Sequence, residues 1–188
     1  MVFVALNSGR NFLVKFKLII AATLVTVVVT GCGHNSLASA IGAEWKVPFQ
    51  IQMVDTKKDA VIFKDDNQYV FNTFQMINGK YKYSTNGEDG WTFSGDILFR
   101  AISRPTVGDV VWGVIKTGKK SSEIQMVFTN QTDPSTKVRM DSKIRNNCFI
   151  AYPSVQFFNN GVGYAQNWNA HVTVYDSQGE IILDENLS

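Results

Sequence analysis

Two cysteines, two histidines and four prolines are all that this chain of 188 residues contains of each. So few cysteines rule out a disulfide framework; a single Cys32–Cys148 bridge is the most that could form, in an oxidising compartment. One His beyond residue 34 and one isolated Cys in "NNCFIAYP" do not make a four-ligand zinc set. Acidic residues are missing from positions 1–31, where Arg10, Lys15 and Lys17 supply positive charge. The apolar run over residues 18–30, LIIAATLVTVVVT, has only thirteen residues. That is short for a bilayer crossing, which needs roughly 20, but it suits the apolar core of a secretory signal.

After that run come Val29-Thr30-Gly31-Cys32. A basic segment, an apolar core and small residues before a Cys together resemble the signal of bacterial lipoprotein precursors. The resemblance implies that the Cys32 thiol is alkylated with diacylglycerol and that a peptidase cuts before it. Cys32 then becomes the acylated first residue of a lipid-anchored envelope protein, sorted to the outer membrane if the organism is a diderm. A retained signal-anchor helix is the competing reading. Residues 14–31 alone form a compact signal, Val14 being compatible with a GTG start, so residues 1–13 are expected to be a start-site artefact. Lipidation of Cys32 leaves Cys148 unpaired, as a small buried apolar residue.

Removing residues 1–31 leaves 15 of the 18 Lys and Arg against 16 Asp and Glu, in a chain of 157 residues. So balanced a charge gives no global field for nucleic acid. The local clusters Lys116, Lys119, Lys120 and Lys137, Arg139, Lys143, Arg145 read as solvated turn and edge charge, as do Asp176, Glu180, Asp184 and Glu185. The length suits one domain with its own core.

Residues 32–44 are small and polar and read as a flexible tether carrying His34, with a short helix over residues 36–43 as an option. From residue 45 the pattern turns to period two. Trp45, Val47, Phe49, Ile51 and Met53 alternate with polar residues, and Pro48 argues for a sheet edge or bulge. Ile124, Met126 and Phe128 form a second such set; Trp168, Ala170, Val172 and Val174 form a third. "QYVFNTFQMI", "DILFRAI" and "DVVWGVIK" are apolar on both faces and read as inner strands. Turn signals such as "KDDN", "NGK", "TNGEDG", "KTGKK" and "DSQG" separate them.

Residues 45–188 are therefore expected to be one all-β domain, an antiparallel sandwich in preference to a small up-and-down barrel. The final hairpins, with Asn160, Gly161, Val172, Val174, Tyr175, Asp176, Gly179 and Ile181, resemble segments of bacterial Ig-like sandwich domains. That resemblance implies interaction more than catalysis and names no ligand.

Chemistry is sparse. The alternation places His171 on a polar strand face, and no G-x-S-x-G elbow is present to position a nucleophilic Ser. Asp65, Asp66 and Asn67, and likewise Asn86, Glu88 and Asp89, could supply calcium ligands, but neither set has EF-hand spacing and both read as tight turns. Gly161-Val162-Gly163 is a turn or bulge without a following helix. Trp45, Trp91, Trp112 and Trp168 read as core staples, and Tyr81 with Tyr83 as a packed sheet face. No catalytic residue, metal or cofactor is indicated. The expected role is a non-catalytic module that binds a protein or glycan partner while lipid on Cys32 holds it at the membrane. A lipocalin-like carrier of an apolar ligand is the first alternative and a secreted hydrolase the second.

Overall fold

The strand Gly108–Ile115 (β7) carries apolar residues on both faces, so it can be satisfied only if another layer covers each side. The computed structural model describes residues 33–154 and 168–187, and these supply both layers. Cys32, the signal segment, Asn160 and the 161–163 glycine pair lie outside the described residues.

The fold is all-β, three antiparallel sheets and one short helix. Sheet 1 joins β1 (Gln50–Asp55), β2 (Ala60–Lys64), β3 (Tyr69–Ile77) and β4 (Lys80–Tyr83), with β5 (Asp89–Trp91) paired to β3. Sheet 2 runs β10 (Cys148–Ala151), β7, β6 (Ile97–Arg104). Sheet 3 runs β12 (Ile181–Leu187), β11 (Trp168–Tyr175), β8 (Glu123–Asn130), β9 (Lys137–Lys143). None of these sheets, as described, closes into a barrel. The arrangement is a sandwich with sheet 2 as its filling.

Alternation along β7 makes this possible. Val110, Trp112 and Val114 pack with Ala60, Ile62 and Phe71 of sheet 1. Val111 and Ile115 pack with Ile124, Met126, Val172 and Val174 of sheet 3. Gly113 lies between them beneath Phe149, its partner on β10. A Cβ at this position would stand 2.1 Å from the Leu98 carbonyl oxygen and 2.6 Å from the Phe149 ring. Only glycine lets the ring lie across the strand.

The alternating sets on β8 and β11 face the core as expected, with Ile124, Met126, Phe128, Ala170, Val172 and Val174 all buried. The first set behaves differently. The strand begins at Gln50, and a register shift between Ile51 and Met53 reverses the parity there. Ile51 consequently packs on the helix side of sheet 1 and Met53 on the sheet 2 side. Of the three inner-strand expectations, β3 and β7 are internal, whereas β6 ends the order of sheet 2. Its two apolar faces reflect burial between layers, which is independent of where a strand lies in its own sheet.

The expected tether is replaced by structure. His34 exchanges two backbone hydrogen bonds with Tyr81, both 2.9 Å. The helix α1 (Leu37–Glu44) follows, its N-terminus capped by Ser36 Oγ, which accepts from the Ser39 N–H at 3.1 Å. Leu37, Ala40 and Ile41 are buried against Val61, Phe63, Val70 and Phe74 on the outer face of sheet 1. Trp45 and Phe49 meet Phe63 edge-on at 5.1 and 5.5 Å. The folded domain therefore starts at His34 and not at residue 45. An apolar face of three residues is too short to stand out as a helical period; the helix exists because sheet 1 offers it a surface. Among the described residues no helix is long and apolar enough to cross a membrane.

A Gly113→Ala substitution is expected to destabilise the protein by about 3 kcal/mol, since backbone and a buried ring must both move. Urea unfolding followed by tryptophan fluorescence measures this; a midpoint equal to that of the parent would contradict the close approach.

Candidate functional site

The side chain that organises the site is Asp89, on the three-residue strand β5 and almost fully buried. Its Oδ2 accepts the indole N–H of Trp112 at 2.8 Å. Arg100 on β6 pairs with Trp112 in register and donates to the same carboxylate from Nη2 at 3.0 Å and Nε at 3.3 Å. This two-point fork fixes the guanidinium plane. That plane lies over the Trp91 ring, with Cζ 4.1 Å from the ring centroid. A linked series runs from the centre of the core to the surface: Trp112, Asp89, Arg100, Trp91. Arg104, farther along β6, adds positive charge near Asp89; burial lowers its pKa and Asp89 opposes that lowering.

Trp91 forms one wall of a cleft of about 560 Å³. Across from sheet 1 and β6, the cleft is completed by Phe128 on β8, Trp168 and Ala170 on β11, Leu187 on β12 and Gln131 just beyond β8. Phe99 and Phe128 are in contact at 5.6 Å, tilted by 30°. The Gln131 amide donates to Asn169 Oδ1 at 2.9 Å. Thr92 and Ser94 also line the cleft. The described lining is thus aromatic and apolar with a few amide, hydroxyl and guanidinium groups, and it includes no carboxylate.

The four tryptophans consequently separate. Trp112 is fully buried and Trp45 packs in the outer core, as staples should. Trp91 does not: it is 43% exposed, because β5 is a short strand attached at the side of β3. Its membership in the site was hidden by composition.

The other candidates fall elsewhere. His171 lies on the outer face of sheet 3, its Nδ1 3.0 Å from Asn186 Oδ1 and its Nε2 3.1 Å from Asp184 Oδ1. Thr173 Oγ1 donates to that same Asp184 oxygen at 2.8 Å. A relay needs the hydroxyl and the carboxylate on opposite ring nitrogens, and here both address Nε2. Asp65 Oδ1 accepts the backbone N–H groups of Asn67 and Gln68, each at 2.8 Å, which is turn chemistry. Glu88 accepts the Tyr83 hydroxyl at 2.6 Å, and burial raises its pKa. Among the described residues no three His, Cys, Asp or Glu side chains gather as a metal site. Tyr81 and Tyr83 pack against the outer core. The lysine and arginine clusters are exposed, and Lys143 pairs with Glu123 across the strands. Cys148 is free, buried in the sheet 1–sheet 2 core, and its thiol is pushed up to about 12 by burial.

Comparison with protein-family models, curated proteins and solved structures finds no match to this chain, so its functional reading stands on this geometry.

Two outcomes are expected. Asp89→Asn should cost about 3 kcal/mol, because Arg100 then keeps a charge in the interior without its carboxylate. Chemical denaturation reads this loss, and an unchanged stability would show the ion pair to be incidental. At pH 8 about one Cys148 thiol in ten thousand is ionised, given its pKa of about 12. Peptide mapping after exposure to a thiol reagent should find Cys148 unmodified in the native protein and modified in denaturant.

Proposed function

We propose that this protein is a lipid-anchored envelope module that binds a glycan in the cleft between β5, β6 and sheet 3. The observation that carries the reading is the Trp91 indole, held against the Arg100 guanidinium and lining a cleft of about 560 Å³ that Trp168 also lines. The volume lies in the usual range of small-molecule sites, roughly 300–1,000 Å³. A pyranose presents an apolar face and a rim of hydroxyls. Indole rings suit the first, and the groups of Gln131, Ser94 and Thr92 suit the second. Fixing Trp91 beforehand also lowers the entropy lost on binding. The anchor is proposed on the signal and the Val29-Thr30-Gly31-Cys32 motif.

A second reading has its own support. Ile97, Leu98, Phe99, Phe128 and Leu187 make much of the lining apolar, which would suit an apolar ligand carried by the protein. The hydrolase reading draws no support from this cleft, since glycoside hydrolysis uses a pair of carboxyl groups.

Titration of tryptophan fluorescence with envelope oligosaccharides, and separately with a long-chain fatty acid, tests these readings. Glycan binding should weaken about tenfold in Trp91→Ala, equivalent to about 1.4 kcal/mol, with thermal stability retained. Saturable binding of the fatty acid with no response to any oligosaccharide would replace the first reading by the second.

A further inference from the structure

The β3–β4 hairpin ends in a two-residue Asn78-Gly79 turn, with φ of 52° and 73°. Left-handed backbone at both positions keeps this tip tight, and Asn and Gly tolerate it. Just before the turn, Met76 and Ile77 are 48% and 43% exposed. They point to opposite faces of the strand: Met76 pairs with Tyr81 on the helix side, and Ile77 pairs with Lys80 on the other. Lys80 and Lys82 are both exposed, and residues 75–82 contain no acid. The tip is therefore an apolar wedge with a positive collar on its Ile77 face alone, which Lys80 and Lys82 share.

Its neighbour gives the wedge a meaning. His34 is bonded to Tyr81 by two backbone hydrogen bonds, and Lys80 donates from Nζ to Asn35 Oδ1. The start of the domain is thereby fastened to this hairpin. Cys32 precedes His34 by two residues, a length of chain of at most about 7 Å. Two strand spacings of about 5 Å lead on from His34 through Tyr81 to Met76.

We propose that the Met76–Ile77 tip sits in the interfacial layer of the anionic bilayer that carries acylated Cys32. In this arrangement Met76 and Ile77 reach the acyl boundary, and Lys80 and Lys82 lie among anionic headgroups. The inference rests on the acylation of Cys32. A fluid layer suits the tip better than a protein surface does, because its two apolar side chains diverge and only a surrounding medium covers both. The anchor and the tip together form two attachment points, so the tilt of the domain is restricted. Trp91 pairs with Tyr69, at the opposite end of β3 from Ile77. Eight steps of about 3.3 Å along that strand hold the cleft wall about 26 Å from the tip.

The test uses the full processed protein in vesicles of mixed neutral and anionic phospholipid containing a nitroxide-labelled lipid. An environment-sensitive fluorophore is attached at Ile77→Cys or, as the control at the far end of β3, at Asp66→Cys. The Ile77 probe should be quenched at least threefold more than the Asp66 probe. Lys80→Glu with Lys82→Glu should remove most of that difference, each lysine being worth roughly fivefold in association with an anionic surface. Mass analysis of the Cys32 peptide accompanies each sample. Acylated Cys32 with equal quenching at both positions overturns the tip contact alone. An unmodified Cys32 overturns the anchor and the tip contact together. Quenching that persists undiminished in the double Lys variant overturns the role of the collar.

Discussion

A strand with two apolar faces must be covered twice, and β7 imposes that condition on the whole domain. Sheet 1 covers Val110, Trp112 and Val114, and sheet 3 covers Val111 and Ile115. Each covering sheet then has an outer face to account for. Sheet 3 turns His171, Asp184 and Asn186 outward to water. Sheet 1 keeps a second apolar face, formed by Val61, Phe63, Val70 and Phe74, and binds α1 there. Four layers follow from one sequence of eight residues, GDVVWGVI.

The buried carboxylate of Asp89 connects this packing to the surface. A charge in the interior persists only with full partners, and Asp89 has the Trp112 indole and the Arg100 fork. Arg100 in turn lies over Trp91. The position of the exposed indole is therefore set by the core, through rigid strands and not through a loop. Precision of that kind suits recognition of a ligand with defined stereochemistry.

Much of this was readable from the residues, and the remainder was hidden for identifiable reasons. Period-two patterns on β8 and β11 give the inward face of sheet 3 because each strand has one wet side. On β1 the same pattern misleads, since the register shift after Ile51 exchanges the faces without altering composition. The helix α1 was invisible as a packed element because its burial depends on sheet 1, far away in sequence. Trp91 and Trp112 are identical as letters. One is exposed and one has no exposure at all, and the difference lies in strand order, which local sequence does not encode. The Asp89–Arg100 fork likewise joins residues whose facing depends on the pairing of sheets 1 and 2.

The turn after β9 has a consequence for how the domain assembles. Asn146 and Asn147 both adopt left-handed backbone, at φ of 48° and 63°, and Arg145 and Cys148 close the turn with two hydrogen bonds. The chain passes through it from sheet 3 directly into sheet 2, where β10 pairs with β7. Between β7 and β10 in sequence lie β8 and β9, so the central sheet is completed only after a hairpin of the neighbouring sheet has been synthesised. Contacts of this separation raise the entropic cost of the folding barrier and slow the search for the native state. The same threading means that neither sheet 2 nor sheet 3 can open without pulling on the other, which favours loss of structure in a single cooperative step over gradual fraying.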